Sequence, residues 1–124
     1  MDIQNINHVA PFTTKDGSEI RELLAHRNSC VRNQSLAEAR LPGGTATMPH
    51  LHPQTEEIYY ILEGEAEMII ADERQRVGVG DAIAIPPGIV HQIVNRGVGE
   101  LKFICCCAPA YEDADTVMLR DGAT

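Results

Sequence analysis

The 124-residue sequence predicts an all-β domain of the sandwich or barrel type, with little helix. Turn-forming residues, mostly glycine, proline and aspartate, recur at short intervals, around positions 16–17, 42–44, 53, 64, 72–73, 78–81, 86–88, 96–97 and 109. Short apolar or alternating runs lie between these turns, at 57–62, 66–71, 81–85, 89–94 and 101–107. Strands of this length separated by tight turns are typical of β-sandwiches and β-barrels.

Two stretches outside these runs, 18–26 and 35–41, could be helical, although each is short and only weakly amphipathic. Gly43 and Gly44 indicate a hairpin after the second stretch, which favours a strand at 35–41. The length suits one domain, so we expect a single domain over 1–124. Its barrel core would span about 31–108, with N-terminal strands in 1–30 and an acidic C-terminal tail, 109–124, packed on the outside and frayed at 121–124.

Charge and cysteine content narrow the expected partners and compartment. The formal charge of −8 provides no basic surface for nucleic acid or an anionic membrane, so a small molecule is the expected partner. The first residues do not resemble a signal peptide, and no segment has the apolar length that crosses a bilayer. The four cysteines, Cys30 and the run from Cys105 to Cys107, form no disulfide pattern. We therefore expect a cytoplasmic protein.

Three of the five histidines lie in the segment 44–95, two of them close to a glutamate. His50 and His52 are two residues apart, so in a strand both side chains leave the same face, about 6.5 to 7 Å apart along the backbone. Glu57 follows at an odd spacing, which would place it on the opposite face of an unbroken strand. Pro53 favours a loop at 53–55 that can reset the alternation and turn Glu57 inward.

His91 follows the turn sequence Pro86-Pro87-Gly88, which can begin a new strand whose first polar side chain points into the same cavity. Three imidazoles and one carboxylate suit Mn, Fe, Ni, Co or Zn, whereas a purely structural zinc site more often uses cysteines. An isolated His-x-His pair is more often a solvent-exposed pair than a metal site. The metal hypothesis therefore depends on Glu57 and His91 as well.

The segment 44–95 resembles the two sequence motifs of the cupin superfamily. The first motif is matched at Gly44, His50, His52, Glu57 and Gly64. The second motif is matched at Gly80, Pro86, Gly88, His91 and Asn95. In the first motif six residues separate the glutamate from the second glycine. Counting back from Gly64 therefore selects Glu57 instead of the neighbouring Glu56. The segment between the motifs, 65–79, has the compact length of small microbial cupins.

This resemblance implies a small single-domain cupin, a jelly-roll β-barrel in which His50, His52, Glu57 and His91 hold a divalent transition metal. It implies an enzyme that uses the metal as a Lewis acid or a dioxygen-binding centre on a small polar metabolite, such as a sugar derivative or an organic acid. Isomerases, lyases and dioxygenases share this fold, so the fold does not choose among them. A non-catalytic small-ligand binding or sensory cupin is the alternative. Similar small cupins are commonly homodimers, so a homodimer is expected.

Strand alternation assigns faces to the residues that follow Glu57. Tyr59 would face the cavity, where its hydroxyl could contact substrate or act as the general base, although a buried tyrosine bonded to backbone is the commoner arrangement. Bound water, hydroxide or Glu57 itself, released from the ion, are the other candidate bases. On the outer face Ile58, Tyr60 and Leu62 form an apolar stripe that an N-terminal strand or a second subunit should cover.

The sequence also predicts the roles of several residues around the motifs. Met48 shares strand parity with His50 and would form an apolar wall of the cavity. Asn95 is expected to fix the local backbone instead of touching substrate. Cys105 and Cys107 are expected to be small apolar residues, since a reactive thiol would need an electropositive setting. The basic residues that could hold an acidic group of a substrate are Arg32, Arg40, Arg96 and Lys102.

Overall fold

In the computed structural model, which describes residues 1–119, almost all regular structure is β-strand. The strands in that range are β1 (Phe12–Thr13), β2 (Glu19–Leu24), β3 (Ser35–Leu41), β4 (His50–Leu51), β5 (Glu56–Glu63), β6 (Glu65–Ile70), β7 (Glu73–Gly78), β8 (Ala82–Ile85), β9 (His91–Val94), β10 (Leu101–Ala108) and β11 (Val117–Met118). Helix within these residues is limited to short 3₁₀ turns at Ile6–His8 and Asp113–Asp115. No helix in the described part of the chain is long and apolar enough to span a bilayer.

The strands form two antiparallel sheets in a jelly-roll arrangement, which confirms the predicted fold class. The first sheet has the order β1-β2-β3-β10-β5-β8, and the second has the order β11-β4-β9-β6-β7. Their core is apolar and includes the fully buried side chains of Leu41, Ile61, Ile93, Leu101 and Phe103. Burying a side chain of this size contributes about 1.5 to 3 kcal/mol, so this core can support the fold before any metal is considered.

The predicted strand runs at 57–62, 66–71, 81–85, 89–94 and 101–107 correspond to β5, β6, β8, β9 and β10. The stretch 35–41 is the strand β3, as favoured above. The stretch 18–26, which could have been helical, contains β2, because its backbone pairs with β3 along the sheet. Strand β7 was not among the predicted strands. Its first four residues are all exposed, so apolar and polar side chains do not alternate along it.

Strand β5 alternates strictly over the residues that matter for the site. Glu57, Tyr59 and Ile61 are buried, as predicted. The intervening side chains point outward and retain much of their exposed area, 44% for Ile58, 44% for Tyr60 and 40% for Leu62. The inward and outward faces assigned from the sequence are therefore correct.

Both ends of the described chain join the sheets. In the N-terminal part β2 pairs with β3, and β1 extends the same sheet. At the other end β11 pairs with β4, the short strand that carries His50. Within the predicted C-terminal tail, Ala110 and Thr116 are buried. The pairing of β11 with β4 is the reason, and the predicted fraying at 121–124 lies outside the described residues.

Several motif residues serve the backbone instead of the cavity. Gly64 has a φ of 88°, and a Cβ there would lie 2.9 Å from the carbonyl oxygen of Glu100, so glycine is required. The Asn95 amide donates to the carbonyl oxygens of Leu41 and Gly99, and its oxygen accepts from the backbone N–H of Gly97. This confirms the prediction that Asn95 fixes the local backbone.

Candidate metal centre

Three buried histidines meet where β4 and β9 lie side by side. His50 in β4 pairs directly with His91, the first residue of β9, and His52 follows β4 by one residue. The three rings offer nitrogen atoms that all lie within 4.8 Å of one another. Their residues are 1%, 4% and 1% exposed for His50, His52 and His91, respectively. Two short sequence motifs, far apart along the chain, thus supply one cluster.

The irregular backbone between His52 and β5 turns a carboxylate toward this cluster. Residues 53–55 lie outside any strand, as Pro53 predicted. The Asp115 carboxylate accepts the backbone N–H groups of Gln54 and Thr55 and so holds the loop. Beyond the loop Glu57 is 4% exposed and points inward, whereas Glu56 is exposed.

Glu57 Oε1 lies 3.4 Å from His52 Nε2 and 3.5 Å from His91 Nε2. These separations are too long for strong hydrogen bonds. In the described part of the chain, Glu57 Oε1 and His91 Nε2 are buried without a hydrogen-bond partner. The centre of the cluster is therefore lined by polar atoms whose bonding capacity the protein leaves unused.

Backbone carbonyls set the tautomers of two of the rings. His50 Nδ1 donates to the Met48 carbonyl oxygen at 2.7 Å, and His91 Nδ1 donates to the Ile89 carbonyl oxygen at 3.1 Å. Because a carbonyl can only accept, each neutral ring carries its proton on Nδ1 and presents the Nε2 lone pair to the cluster. This outer hydrogen bond is the usual way in which a protein orients a metal-binding histidine.

The electrostatics of the cluster favour a bound cation. Burial, assisted by the neighbouring His91, lowers the pKa of His50 and so favours its neutral form. Burial alone would raise the pKa of Glu57, but the contacts with His52 and His91 lower it to about 2. Burial lowers the pKa of His52, but the contact with Glu57 outweighs burial and raises it. At His91, whose Nε2 presents a lone pair at 3.5 Å, the ionised carboxylate is repelled unless a proton or a metal ion lies between the two atoms.

The spacing of these atoms fits a metal ion. Around an ion with bonds of about 2.1 Å, neighbouring ligand atoms are about 3.4 Å apart in a tetrahedron and about 3.0 Å apart in an octahedron. The contacts of Glu57 with the two imidazoles, at 3.4 and 3.5 Å, fall close to these values. The buried histidine triad could therefore hold a metal ion, and Glu57 stands beside it.

A small cavity of about 40 Å³ adjoins the cluster, and His50, His52, Glu57 and Tyr59 are among its lining residues. The Tyr59 ring meets His91 edge to face, with ring centroids 6.0 Å apart. Burial, together with the charge of Glu57, raises the pKa of Tyr59 well above its ordinary value, so the phenol keeps its proton. This favours a hydrogen-bond donor at Tyr59 over a general base.

The rest of the lining combines apolar and acidic side chains. The acidic residues are Asp16, Glu22 and Glu57, and within residues 1–119 no lysine or arginine lines the cavity. The four basic residues considered above are engaged elsewhere: Arg40 with Glu38, Arg96 with Glu67, Lys102 with Glu63, and Arg32 with the carbonyl oxygens of Ser29 and Val31. None of these four residues is among those that line the cavity.

Met48 does not form a wall of the cavity, contrary to the prediction. Its side chain is 51% exposed, because β4 begins only at His50 and strand parity does not extend back across Pro49. Three residues that the sequence analysis missed do approach the cluster. Asp16 Oδ2 lies 3.4 Å from His50 Nε2, the Tyr111 ring packs against His52, and Thr116 Oγ1 lies 3.3 Å from His52 Nδ1. All three lie outside the two motifs, so the spacing of the motif residues gives no signal for them.

Cys107 supports Glu57 from the neighbouring strand. These residues are directly opposite in the pairing of β10 with β5, and the thiol donates to Glu57 Oε2 at 3.2 Å. Burial, reinforced by the charge of Glu57, raises the pKa of Cys107, so the group remains a thiol. This setting is not the electropositive one that a nucleophilic cysteine needs. The thiol leaves Oε1 as the carboxylate oxygen that faces the histidines.

Removing this support should weaken metal binding. We expect Cys107→Val to raise the dissociation constant for Zn²⁺ about 10-fold, at the lower end of the effect of losing an outer hydrogen bond. Cys107→Ser retains a donor of similar reach and should stay close to the wild type. Competitive titration against a chromophoric chelator measures both values. Equal affinities for the valine and serine variants would contradict a positioning role for the thiol.

Comparison with known proteins agrees with this arrangement. An uncharacterized protein of Methanocaldococcus jannaschii is 48% identical over 112 residues, which cover 90% of each chain. An oxalate-binding protein of Thermotoga maritima is 30% identical over 86 residues, which cover 69% of this chain and 71% of that protein.

A solved structure extends the likeness to the fold as a whole. Pac13 of Streptomyces, a nucleoside dehydratase, superposes with a TM-score of 0.75 at 16% identity, covering 94% of this chain and 89% of Pac13. Finally, residues 37–107, more than half of the chain, match the family model described as the cupin domain. The family match and the jelly-roll fold together show that the chain is a member of the cupin family.

Proposed function

We propose that this cupin is an enzyme that uses a divalent transition metal to act on a small polar molecule. The observation that carries the proposal is the cluster of buried acceptor atoms, with Glu57 Oε1 and His91 Nε2 lacking hydrogen-bond partners in the described chain. His50, His52, Glu57 and His91 would hold the ion. Imidazole and carboxylate together suit Mn, Fe, Ni, Co or Zn.

The ion and the protein groups around it would have different roles. The bound ion would supply Lewis-acid chemistry or, if redox-active, a site for dioxygen. Tyr59 would donate a hydrogen bond to a substrate oxygen, since its phenol stays protonated. The apolar lining, which includes Phe103 and Ala39, would exclude water from the substrate. The reaction would be of the isomerase, lyase or dioxygenase type.

The charge of the lining favours an uncharged substrate. The cavity has acidic but no basic side chains among the described residues, so an organic acid would find only the metal to balance its charge. A sugar derivative or another neutral carbonyl or polyol compound meets no such penalty. Pac13, a nucleoside dehydratase with a variant solved with uridine, has the same fold.

The proposal is tested on protein purified without chelator. Elemental analysis should find a divalent transition metal, and nuclear magnetic resonance should detect conversion of a neutral compound in a panel of sugars, nucleosides and small acids. Glu57→Gln should abolish this conversion and Glu56→Gln should retain it, because only the first glutamate faces the cluster. A protein without metal that takes up no divalent ion would exclude the proposed centre. Turnover restricted to acids would exclude the neutral substrate class.

A second candidate function is ligand capture without turnover. The oxalate-binding protein of Thermotoga maritima, similar over most of its length, favours this reading. One experiment distinguishes catalysis from binding without turnover. If the metal-loaded protein binds a compound tightly and returns it unchanged after long incubation, the protein is a binding or sensory cupin and the enzymatic proposal fails.

The exposed face of β5 supports a homodimer. Ile58 and Tyr60 are flanked by the exposed Ala84 and Ala82 of β8, their direct partners in the sheet. With Leu62 these residues form a continuous apolar surface on the side of β5 opposite Glu57 and Tyr59. A second copy of the chain would remove this surface from water.

Tyr60→Glu should therefore shift the protein from dimer to monomer without changing its metal content. Burying a charge in an apolar interface is strongly unfavourable, whereas the metal centre lies on the other face of the strand. Size-exclusion chromatography with light scattering measures the mass. Val98→Glu, at a fully exposed valine, is the matched control and should remain dimeric. A monomeric wild type at micromolar concentration would contradict the interface.

We also propose that the protein works in the cytoplasm. Its cysteines are all free, two of them buried, which suits a reducing compartment. Fractionation of cells that produce the protein, with detection by antibody, tests the location.

A further inference from the structure

A second carboxylate faces the histidine cluster from outside the two cupin motifs. Asp16 lies in the turn between β1 and β2, and its Oδ2 is 3.4 Å from His50 Nε2. The Asp16 side chain is 12% exposed and lines the cavity beside the cluster. It therefore approaches the ring of His50, whereas Glu57 approaches His52 and His91.

The two oxygens of Asp16 have different surroundings. Oδ1 accepts three hydrogen bonds, from the Thr14 hydroxyl and from the backbone N–H and hydroxyl of Ser18, at 2.7, 2.9 and 2.6 Å. These bonds hold the carboxylate in one orientation and direct Oδ2 at His50. The backbone of the same residue is also anchored, because the Met48 N–H donates to the Asp16 carbonyl oxygen at 2.8 Å.

The contact between Asp16 and His50 is not explained as a hydrogen bond. His50 donates Nδ1–H to Met48, so its neutral ring presents a lone pair to Oδ2. Two acceptor atoms at 3.4 Å repel each other, and the firm attachment of Oδ1 prevents the carboxylate from turning away. The same conflict exists at Glu57, where it motivates the metal. A single cation inside the cluster would relieve both.

We propose that Asp16 is a second acidic group of the metal centre, whose Oδ2 stabilises the bound divalent cation from the side of His50. This inference rests on the proposed function, since it requires that the cluster binds a metal.

Asp16→Asn isolates the contribution of Oδ2. Asparagine keeps an oxygen that can accept from Thr14 and Ser18, so the turn should survive, but it places an uncharged amide donor toward the cluster. We expect the dissociation constant for Mn²⁺, measured by isothermal titration calorimetry, to rise about 10- to 100-fold, the usual cost of losing a supporting group at a metal site.

Glu22→Gln is the matched control. Glu22 also lines the cavity and is similarly shielded, with 17% of its side chain exposed, but its Oε1 already accepts from Arg27. The substitution removes the same charge, so it should change Mn²⁺ affinity by less than about threefold if position decides the effect. Melting temperatures in chelator should be similar for the wild type and both variants, which separates metal affinity from folding.

The outcomes distinguish this inference from the proposed function. A wild type that binds no divalent ion contradicts the metal centre itself. A wild type that binds Mn²⁺, with Asp16→Asn binding equally well, retains the centre and overturns the role of Asp16. If the asparagine variant does not fold, a crystal structure of the Mn²⁺-loaded wild type decides the matter. Oδ2 within about 4 Å of the ion supports the inference, and a carboxylate turned away from it overturns the inference.

Discussion

Replacing His91 by alanine should abolish stoichiometric metal binding while the fold survives. His91 pairs with His50 across β4 and β9, and its Nε2 lies 3.5 Å from Glu57 Oε1, so the substitution removes the ring that links both motifs. We expect affinity for transition metals to fall more than 100-fold, beyond the roughly 10- to 100-fold cost of losing a supporting residue. Elemental analysis of the purified variant and a titration with Zn²⁺ measure the loss.

The fold should tolerate this change because the apolar core is formed elsewhere. Ile61, Ile93 and Phe103 are fully buried and need no metal to pack. His91→Ala also removes a buried nitrogen that has no hydrogen-bond partner in the described chain. His8→Ala, at an exposed histidine outside the cluster, should leave metal content unchanged. A full complement of metal in the His91 variant would contradict the ligand assignment, and a variant that cannot fold would indicate a structural metal.

Transition metal should raise the melting temperature of the wild type strongly. At a free ion concentration about 1,000 times the dissociation constant, binding to the native state alone adds about 4.1 kcal/mol of stability. For a domain of this length that corresponds to an increase of roughly 10 to 25 °C. The physical reason is that the ion would offset the repulsion between Glu57 Oε1 and the lone pair of His91 Nε2. Thermal melts with and without Mn²⁺, Co²⁺, Ni²⁺ or Zn²⁺ measure the increase.

Mg²⁺ at the same concentration is the control, because it prefers oxygen ligands and should have little effect on a site of three imidazoles. His91→Ala should lose most of the increase as well. An equal rise with Mg²⁺, or the same rise in the His91 variant, would mean that the ions act on the acidic surface instead of on the cluster.

Much of the fold was predictable because its signals are local. The alternation of side chains along 57–62 indicated that one face of β5 is buried and the other exposed. Turn residues marked most of the strand ends. Where the local signal was weak, the prediction was open or absent. The stretch 18–26 forms β2 only because β3 offers a pairing edge, and β7 is exposed on both faces over its first four residues. The spacing of apolar residues along the sequence indicates neither of these features.

The convergence of His50, His52 and His91 was likewise predictable, since it follows from strand parity and from turns next to each residue. Pro53 allowed the reset that points Glu57 inward, and this reset is present in the structure. Strand parity does not hold at Met48, because the strand does not extend across Pro49. A prediction from residue spacing holds only where the backbone keeps the regular conformation that the prediction assumes.

By itself, then, the sequence determined the all-β class, the inward face of β5 and the four polar residues of the two motifs. The tertiary structure alone decided what surrounds them: Asp16 from the β1–β2 turn, Cys107 from β10 and Thr116 from the C-terminal segment. The physical reason is distance along the chain. Motif residues are fixed by turns a few positions away, whereas these neighbours are much farther from their partners: 34 residues for Asp16 with His50, 50 for Cys107 with Glu57 and 64 for Thr116 with His52. The charge and hydrogen bonding at the centre therefore depend on pairings that no local pattern records.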